Sequence, residues 1–239
     1  MARWSERGSQ NGRKLGSFQP SEMIAAVAAL ALLAGLVGAG AYMFSHARSG
    51  KRVDLLVGAD VTGSVHMQSR KQMFGVLDET VAEVLPQGSH VEIWSFDVNA
   101  HKFADLVPVR PEDLWPTEDE VMALHPTSWG TFPAVAFKEM VREVSADQSQ
   151  GEPAAILMLT DGEDENPRTT VEEAKKLAQI SSLKAVWFCG VTSRNGFRSE
   201  LERRLMPIFG NRLIVTGRQD AAEGLQRLRL LLESPNKAK

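Results

Sequence analysis

Three short runs of mostly apolar residues constrain the fold of this 239-residue chain more than any other feature. They cover residues 53–59, 154–160 and 183–191. A strand that is apolar on both sides must be covered on both sides, which is typical of parallel sheets with helices above and below. Between these runs, apolar residues such as Met73, Leu77 and Val84 recur at helical spacing. The pattern predicts an α/β fold in which strands and helices alternate.

The predicted elements give this fold a definite form. Strands are expected at residues 53–60, 91–96, 101–109, 154–160, 183–191 and 212–215, and the short turn between the second and third predicts an antiparallel hairpin at one edge. Helices are expected over about residues 66–85, from about 131, from a capping-box pattern at 170–173, around 201–205, and from about 220. The fold class is therefore a doubly wound, mostly parallel six-stranded sheet with one antiparallel edge strand and helices on both faces.

The first fifth of the chain has a different character. Residues 1–22 are polar and predict a flexible tail, whereas residues 23–44 contain no charge and are long enough to cross a bilayer as a helix. A basic linker, residues 45–52, joins this segment to an α/β domain at 53–232, and residues 233–239 form a short tail. The alternative is a cleaved signal peptide, since small residues at 45 and 47 suit a cleavage site. An uncleaved anchor is favoured because the apolar run exceeds the usual signal core.

Charge and cysteine content exclude several classes of function. The formal net charge is −3 and no basic face stands out, so nucleic acid is not expected as a partner. Cys189 is the single cysteine, which rules out an intramolecular disulfide, and none of the five histidines has zinc-ligand spacing. Basic residues on both sides of the apolar segment lean only slightly to an internal N-terminus, which would put the domain of a single-pass protein outside the cytoplasm.

Three predicted loops carry oxygen ligands to one edge of the sheet. Asp60, Thr62 and Ser64 follow the first strand and are spaced two apart, so an extended segment points them the same way. Thr131 precedes a helix, and Asp161 follows the most apolar strand. Ligands bind beyond the carboxyl ends of strands in such sheets. Carboxylates and hydroxyls suit a hard cation, so Mg²⁺ is expected here, with Mn²⁺ or Ca²⁺ as alternatives.

These residues resemble the metal-ion-dependent adhesion site of the von Willebrand factor A (vWA) domain, which combines Asp-x-Ser-x-Ser with a distant Thr and a distant Asp. The resemblance covers roughly residues 50–232 and assigns Asp60, Thr62 and Ser64 to the first motif, Thr131 to the second and Asp161 to the third. Thr62 departs from the commoner Ser but keeps the hydroxyl oxygen. The resemblance implies direct ligation by the hydroxyls of Thr62 and Ser64, and ligation by Thr131 either directly or through water. It also implies ligation largely through water by the aspartates and an open metal position for a partner's carboxylate.

The expected function is therefore a membrane-anchored protein-binding module rather than an enzyme. Trp129, Glu163 and Asp164 lie beside the motif residues and are predicted to contact the partner, although a packing tryptophan and a solvated acidic loop are the alternatives. A metal-assisted hydrolase or phosphoryl-transfer enzyme is the second hypothesis, and it lacks a recognisable catalytic base. A metal-free scaffold is the third, because helix caps and turns use the same residue types.

Overall fold

A computed structural model describes residues 51–108, 110–147, 151–193 and 196–234. Within these ranges the six strands are β1 (Asp54–Asp60), β2 (His90–Phe96), β3 (Ala100–Leu106), β4 (Ala154–Leu159), β5 (Leu183–Cys189) and β6 (Leu213–Thr216). The α-helices are α1 (Met67–Glu79), α2 (Trp115–Met122), α3 (Pro133–Asp147), α4 (Pro167–Ala178), α5 (Phe197–Phe209) and α6 (Ala221–Glu233).

The strands form one sheet in the order β3-β2-β1-β4-β5-β6. Pairing is parallel except between β2 and β3, which form the antiparallel hairpin at the edge. Along the chain, β2 and β3 are added on one side of β1, and β4, β5 and β6 are then added on its other side. The strand order therefore reverses between β1 and β4, which is where ligands bind in doubly wound sheets. The predicted six-stranded sheet with one antiparallel strand is confirmed.

Successive residues of β1 face opposite layers and so create two cores. Leu55 lies in a core with Leu77 of α1 and Leu228 of α6. Leu56 lies in the other core, with Phe137 of α3 and further residues of α4 and α5. Helices thus cover both faces of the sheet, as the apolar strand runs require.

Several element boundaries differ from the sequence-based expectation. The helix predicted over 66–85 is α-helical only to Glu79 and ends in a π-helical turn, Thr80–Val84. The helix predicted to open with a capping box at residue 170 begins three residues earlier at Pro167, because Asn166 caps it by accepting a hydrogen bond from the Thr169 N–H. Proline suits this position because the first helical turn leaves its N–H groups unpaired.

The predicted membrane segment, residues 23–44, lies outside the described ranges, as do the polar tail and most of the basic linker. Among the described residues, no helix has both the length and the apolar character needed to cross a bilayer.

Candidate functional site

The loop after β1 folds back onto the last residue of the strand. Asp60 is 1% exposed, and its Oδ1 accepts two hydrogen bonds from Thr62, one from the backbone N–H at 3.0 Å and one from the hydroxyl at 2.6 Å. Aspartate favours such turns because its carboxylate reaches the backbone two residues further on. The turn directs the Thr62 hydroxyl to the carboxyl edge of the sheet.

Three hydroxyl groups meet at that edge. The Oγ1 atom of Thr62 lies 3.0 Å from the Oγ of Ser64 and 3.0 Å from the Oγ1 of Thr131, and the last two are 3.5 Å apart. Thr131 lies just before α3 and is completely buried. Two segments 69 residues apart therefore contribute to one oxygen cluster.

The second oxygen of Asp60 is held by β4. The Thr160 hydroxyl, one residue beyond that strand, donates to Asp60 Oδ2 at 2.8 Å. Burial raises the pKa of Asp60 from 3.8 to about 6, although the hydrogen bonds from Thr62 and Thr160 oppose the shift. The neighbouring charge of Asp161 raises this pKa further, so the two aspartates lie close enough to interact. Like charges in such proximity disfavour ionisation, and a cation beside them would oppose that effect.

Asp161 begins a tight loop that also directs Glu163. The Asp161 Oδ1 accepts a hydrogen bond from the Glu163 N–H at 3.1 Å, and the Asp161 carbonyl accepts one from the Thr192 N–H at 3.0 Å. Gly162 has a φ of +91°, and a Cβ there would lie 2.6 Å from a methyl of Val191, so only glycine fits this turn. The turn brings the Glu163 carboxyl to the Ser64 hydroxyl, whose hydrogen bond partly offsets the rise in the pKa of Glu163 caused by burial and by Asp161.

Trp129 lies next to the hydroxyl cluster with its ring in solvent. The residue is 81% exposed. Its ring covers Gly63, where a Cβ would lie 2.7 Å from the ring carbon Cε3. The Gly63 N–H also donates to the carbonyl of Ser128 at 3.0 Å, which joins the two loops. The exposed Trp129 ring therefore packs on Gly63 of the first motif, beside the candidate site.

Asp164 is not placed for partner contact. Its side chain has no exposed surface, and it accepts hydrogen bonds from Arg204 Nη1 at 2.8 Å and from the Thr170 hydroxyl at 3.1 Å. A carboxylate in this position ties the loop after β4 to helices α4 and α5. We therefore assign Asp164 a structural role, which corrects the sequence-based expectation that it contacts the partner. Glu163, in contrast, is partly exposed and its carboxyl hydrogen-bonds to the Ser64 hydroxyl of the cluster.

The donor set fits a small hard cation. Mg²⁺ binds oxygen at about 2.0–2.1 Å with octahedral geometry, so neighbouring ligand oxygens are roughly 2.9 Å apart. The separations of 3.0, 3.0 and 3.5 Å between the hydroxyls of Thr62, Ser64 and Thr131 are close to that requirement. Asp60 and Asp161 add two negative charges beside the hydroxyls. Hydrogen bonds join four residues of the predicted set, Asp60, Thr62, Ser64 and Thr131. Asp161 lies near enough to Asp60 for its charge to raise the Asp60 pKa.

Sequence reasoning did not find a second group of ligand types on the edge hairpin. Atoms of His90, Glu92 and Asp105 lie within 4.8 Å of one another. The Lys102 ammonium already lies 2.9 Å from Glu92 and 2.7 Å from Asp105, and His90 hydrogen-bonds to Asp105. Because the lysine charge already pairs with both carboxylates of this group, we assign no metal to it. Thr160, by contrast, was missed as an Asp60 partner, although its place at a strand end could have indicated it.

Comparison with known proteins relates the chain to others by structure alone. No model of a protein family matches the sequence, and no curated protein is similar enough to match it. The structure is similar to an aerotolerance-related membrane protein from Bacteroides fragilis (TM-score 0.55, 16% identity, 75% of this chain and 98% of that chain). It is also similar to manganese-loaded TRAP protein from Plasmodium vivax (TM-score 0.54, 14% identity, 76% and 74%). A third neighbour is a von Willebrand factor type A structure from Catenulispora acidiphila (TM-score 0.54, 16% identity, 77% and 43%). Together with the sheet order, these similarities show that the described part of the chain has the vWA fold.

Proposed function

We propose that the chain is a vWA-type binding module that holds a divalent cation and uses it to capture the carboxylate of a partner protein. The convergence of the Thr62, Ser64 and Thr131 hydroxyls beside buried Asp60 carries this proposal. These groups come from separate segments and meet where the strand order reverses. Helix caps or turns alone would not require the hydroxyl of Thr131 to meet a loop 67 to 69 residues away.

The proposed ligand set has few charges in direct contact with the ion. The hydroxyls of Thr62, Ser64 and Thr131 would bind the ion directly, and Asp60 and Asp161 would act largely through water. Mg²⁺ keeps several waters in such sites, and one of these positions is available to an incoming carboxylate. The chemistry that the ion supplies is attraction for that carboxylate. The protein residues would hold the ion, and Trp129 would offer the partner an apolar contact next to it.

The identity of the ion is proposed from chemistry and from one structural neighbour. Hydroxyl and carboxylate oxygens suit Mg²⁺, Mn²⁺ and Ca²⁺. The Plasmodium TRAP structure is manganese-loaded, which supports a divalent ion for this fold. We propose Mg²⁺ as the ion and regard Mn²⁺ as its experimental substitute.

We further propose that the module is attached to a membrane. Residues 23–44 have the length and the lack of charge of a spanning helix. The similar Bacteroides fragilis structure is described as that of a membrane protein, which agrees with this proposal. The module would then be displayed by a single-pass protein, outside the cytoplasm if the N-terminus is internal, and a secreted form produced by cleavage is the alternative.

Binding is proposed in preference to catalysis. The histidines nearest to the motif in sequence, His66 and His125, are both exposed. Among the described residues, neither has a carboxylate within ion-pair distance that would orient it as a base.

A capture experiment tests the proposal. Immobilised full-length protein should retain a membrane partner in Mg²⁺, release it with EDTA and retain it again when Mg²⁺ is restored. Thr62→Val and Asp161→Ala should abolish retention. Thr80→Val is a matched control, because Thr80 is equally buried but donates to the Val76 carbonyl at the other end of α1. Equal retention by all three variants would contradict the proposal, and hydrolytic turnover lost in Asp60→Ala would favour an enzyme.

A further inference from the structure

Arg70 is a buried cation that faces the backbone of the candidate site. It lies on α1 and is only 5% exposed. Buried arginines are rare unless they are paired. Within the described ranges, no carboxylate lies within ion-pair distance of Arg70, and its Nε atom has no hydrogen-bond partner. Burial lowers the pKa of Arg70 and the more distant charge of Asp60 opposes that shift, so the remaining donors are the direct contacts that compensate for burial.

Those donors bind the main chain of two loops. Arg70 Nη2 donates to the carbonyl of Val61 at 2.7 Å and to that of Thr62 at 3.0 Å. Arg70 Nη1 donates to the carbonyl of Leu124 at 3.2 Å. Val61 and Thr62 belong to the first motif, while Leu124 begins the segment that leads to Trp129 and Thr131. One side chain therefore links both loops that supply the hydroxyl cluster.

The hydrogen bonds to consecutive carbonyls restrict the peptide planes on both sides of Thr62. With these carbonyls turned toward α1, the Thr62 N–H and hydroxyl remain directed at Asp60, and the hydroxyl reaches Ser64 and Thr131. A planar guanidinium is suited to this task, because its donors are held in a fixed fork.

We propose that Arg70 is the positioning residue of the metal site, which holds the Thr62 loop and the 124–131 segment in the geometry that ligation requires. This inference rests on the proposed function of the site. A positive charge near a divalent ion would by itself weaken binding through repulsion. When Arg70 is replaced, the loss of positioning therefore lowers the affinity for the ion more than the loss of repulsion raises it.

Manganese binding to the full chain in detergent, followed by the signal of free Mn²⁺ in electron paramagnetic resonance, tests the proposal. Arg70→Met keeps the length of the side chain but removes its charge and donors, and it should weaken Mn²⁺ binding by about tenfold or more, the usual effect of losing a residue that orients ligands. Arg70→Lys keeps the charge and one donor group, so it should restore part of the affinity.

Arg212→Met is the matched control. Arg212 is also partly buried and also donates to two main-chain carbonyls, those of Leu183 at 3.2 Å and Ala178 at 3.0 Å. It lies just before β6, at the amino end of that strand, whereas the site lies at the carboxyl ends of the strands. Its replacement should lower stability without changing Mn²⁺ affinity. Unchanged or tighter Mn²⁺ binding by Arg70→Met would overturn the positioning role.

Amide hydrogen exchange without metal separates this inference from the proposed function. Peptides covering residues 60–66 and 122–131 should exchange faster in Arg70→Met than in the wild-type protein, and not in Arg212→Met. Unchanged exchange in both peptides would overturn the inference. If the wild-type protein failed to bind Mn²⁺, the proposed function would fall, and the exchange result would still decide whether Arg70 holds the two loops.

Discussion

Asp60→Asn should make the metal-free protein more stable at neutral pH, although it removes a proposed metal-binding residue. Asp60 is 1% exposed, and burial raises its pKa from 3.8 to about 6. One pKa unit corresponds to about 1.4 kcal/mol, so keeping this carboxylate charged in the folded protein costs about 3 kcal/mol above pH 6. Asparagine has the same shape, can still accept from Thr62, and can donate to the Thr160 hydroxyl.

The pH dependence gives this prediction a definite sign. The folded protein binds the Asp60 proton more tightly than the unfolded chain does, so wild-type stability falls as the pH rises from about 4 to 6. Asparagine does not titrate. The advantage of Asp60→Asn should therefore be small at pH 4 and reach up to about 3 kcal/mol at pH 8.

Urea unfolding in EDTA at pH 4 and pH 8 measures the difference. The same two proteins should reverse their order when Mg²⁺ is added at pH 8, because only the wild-type protein gains stability from binding the ion. Two results would show that burial of an ionised Asp60 does not destabilise the metal-free protein. One is equal stability of the two proteins at pH 8 without metal, and the other is an advantage of Asp60→Asn that has the same size at both pH values.

Two other substitutions test the buried carboxyl of Glu118 and the exposed ring of Trp129. Glu118 on α2 is buried and its pKa is raised to about 8 by burial and by the charge of Asp78. Wild-type stability should therefore fall between pH 5 and pH 8, and urea unfolding of Glu118→Gln should show a flatter profile; parallel profiles would contradict this. Trp129→Ala should change the free energy of unfolding by less than about 0.5 kcal/mol, because the side chain is 81% exposed. The same variant should weaken partner binding by about 2 kcal/mol in a titration of the captured partner, whereas Leu230→Ala on the exposed side of α6 should leave it unchanged.

The sheet and the main cluster could be predicted because they depend on strong local patterns. The apolar runs of β1, β4 and β5 require cover on both faces, and that requirement fixes the alternation of strands and helices. Parallel strands then bring the residues that follow them to one edge. Asp60 ends β1 and Asp161 follows β4, and these two strands are neighbours, since Ala59 pairs with Leu159. Their proximity therefore follows from the fold class.

The interactions that could not be predicted depend on side-chain direction and on backbone partners. Asp164 looks like one more acid in an exposed loop, and its burial depends on Arg204, 40 residues further on. Arg70, next to Lys71, looks like part of a solvated basic surface. Its actual partners are carbonyl groups, which every residue has and which leave no trace in the sequence. The π-helical turn after α1 likewise reflects packing against the rest of the domain.

The fold and the site also depend on each other energetically. The fold buries Asp60 at the end of β1, and burial raises its pKa. A bound cation would offset that cost by favouring the charged form. Affinity for metal should consequently decline below about pH 6, as Asp60 becomes protonated. The buried carboxylate thus links metal occupancy to stability.

Thr131 and the first motif together form the proposed cation site, and calorimetric titration of the full chain with Mg²⁺ measures whether they bind one ion. We expect one ion per chain for the wild-type protein and unchanged binding in Thr80→Val. We expect loss of binding in Thr131→Val, which keeps the volume but removes the hydroxyl. Binding that is absent in the wild-type protein, or that is equally strong in Thr131→Val, would contradict this expectation.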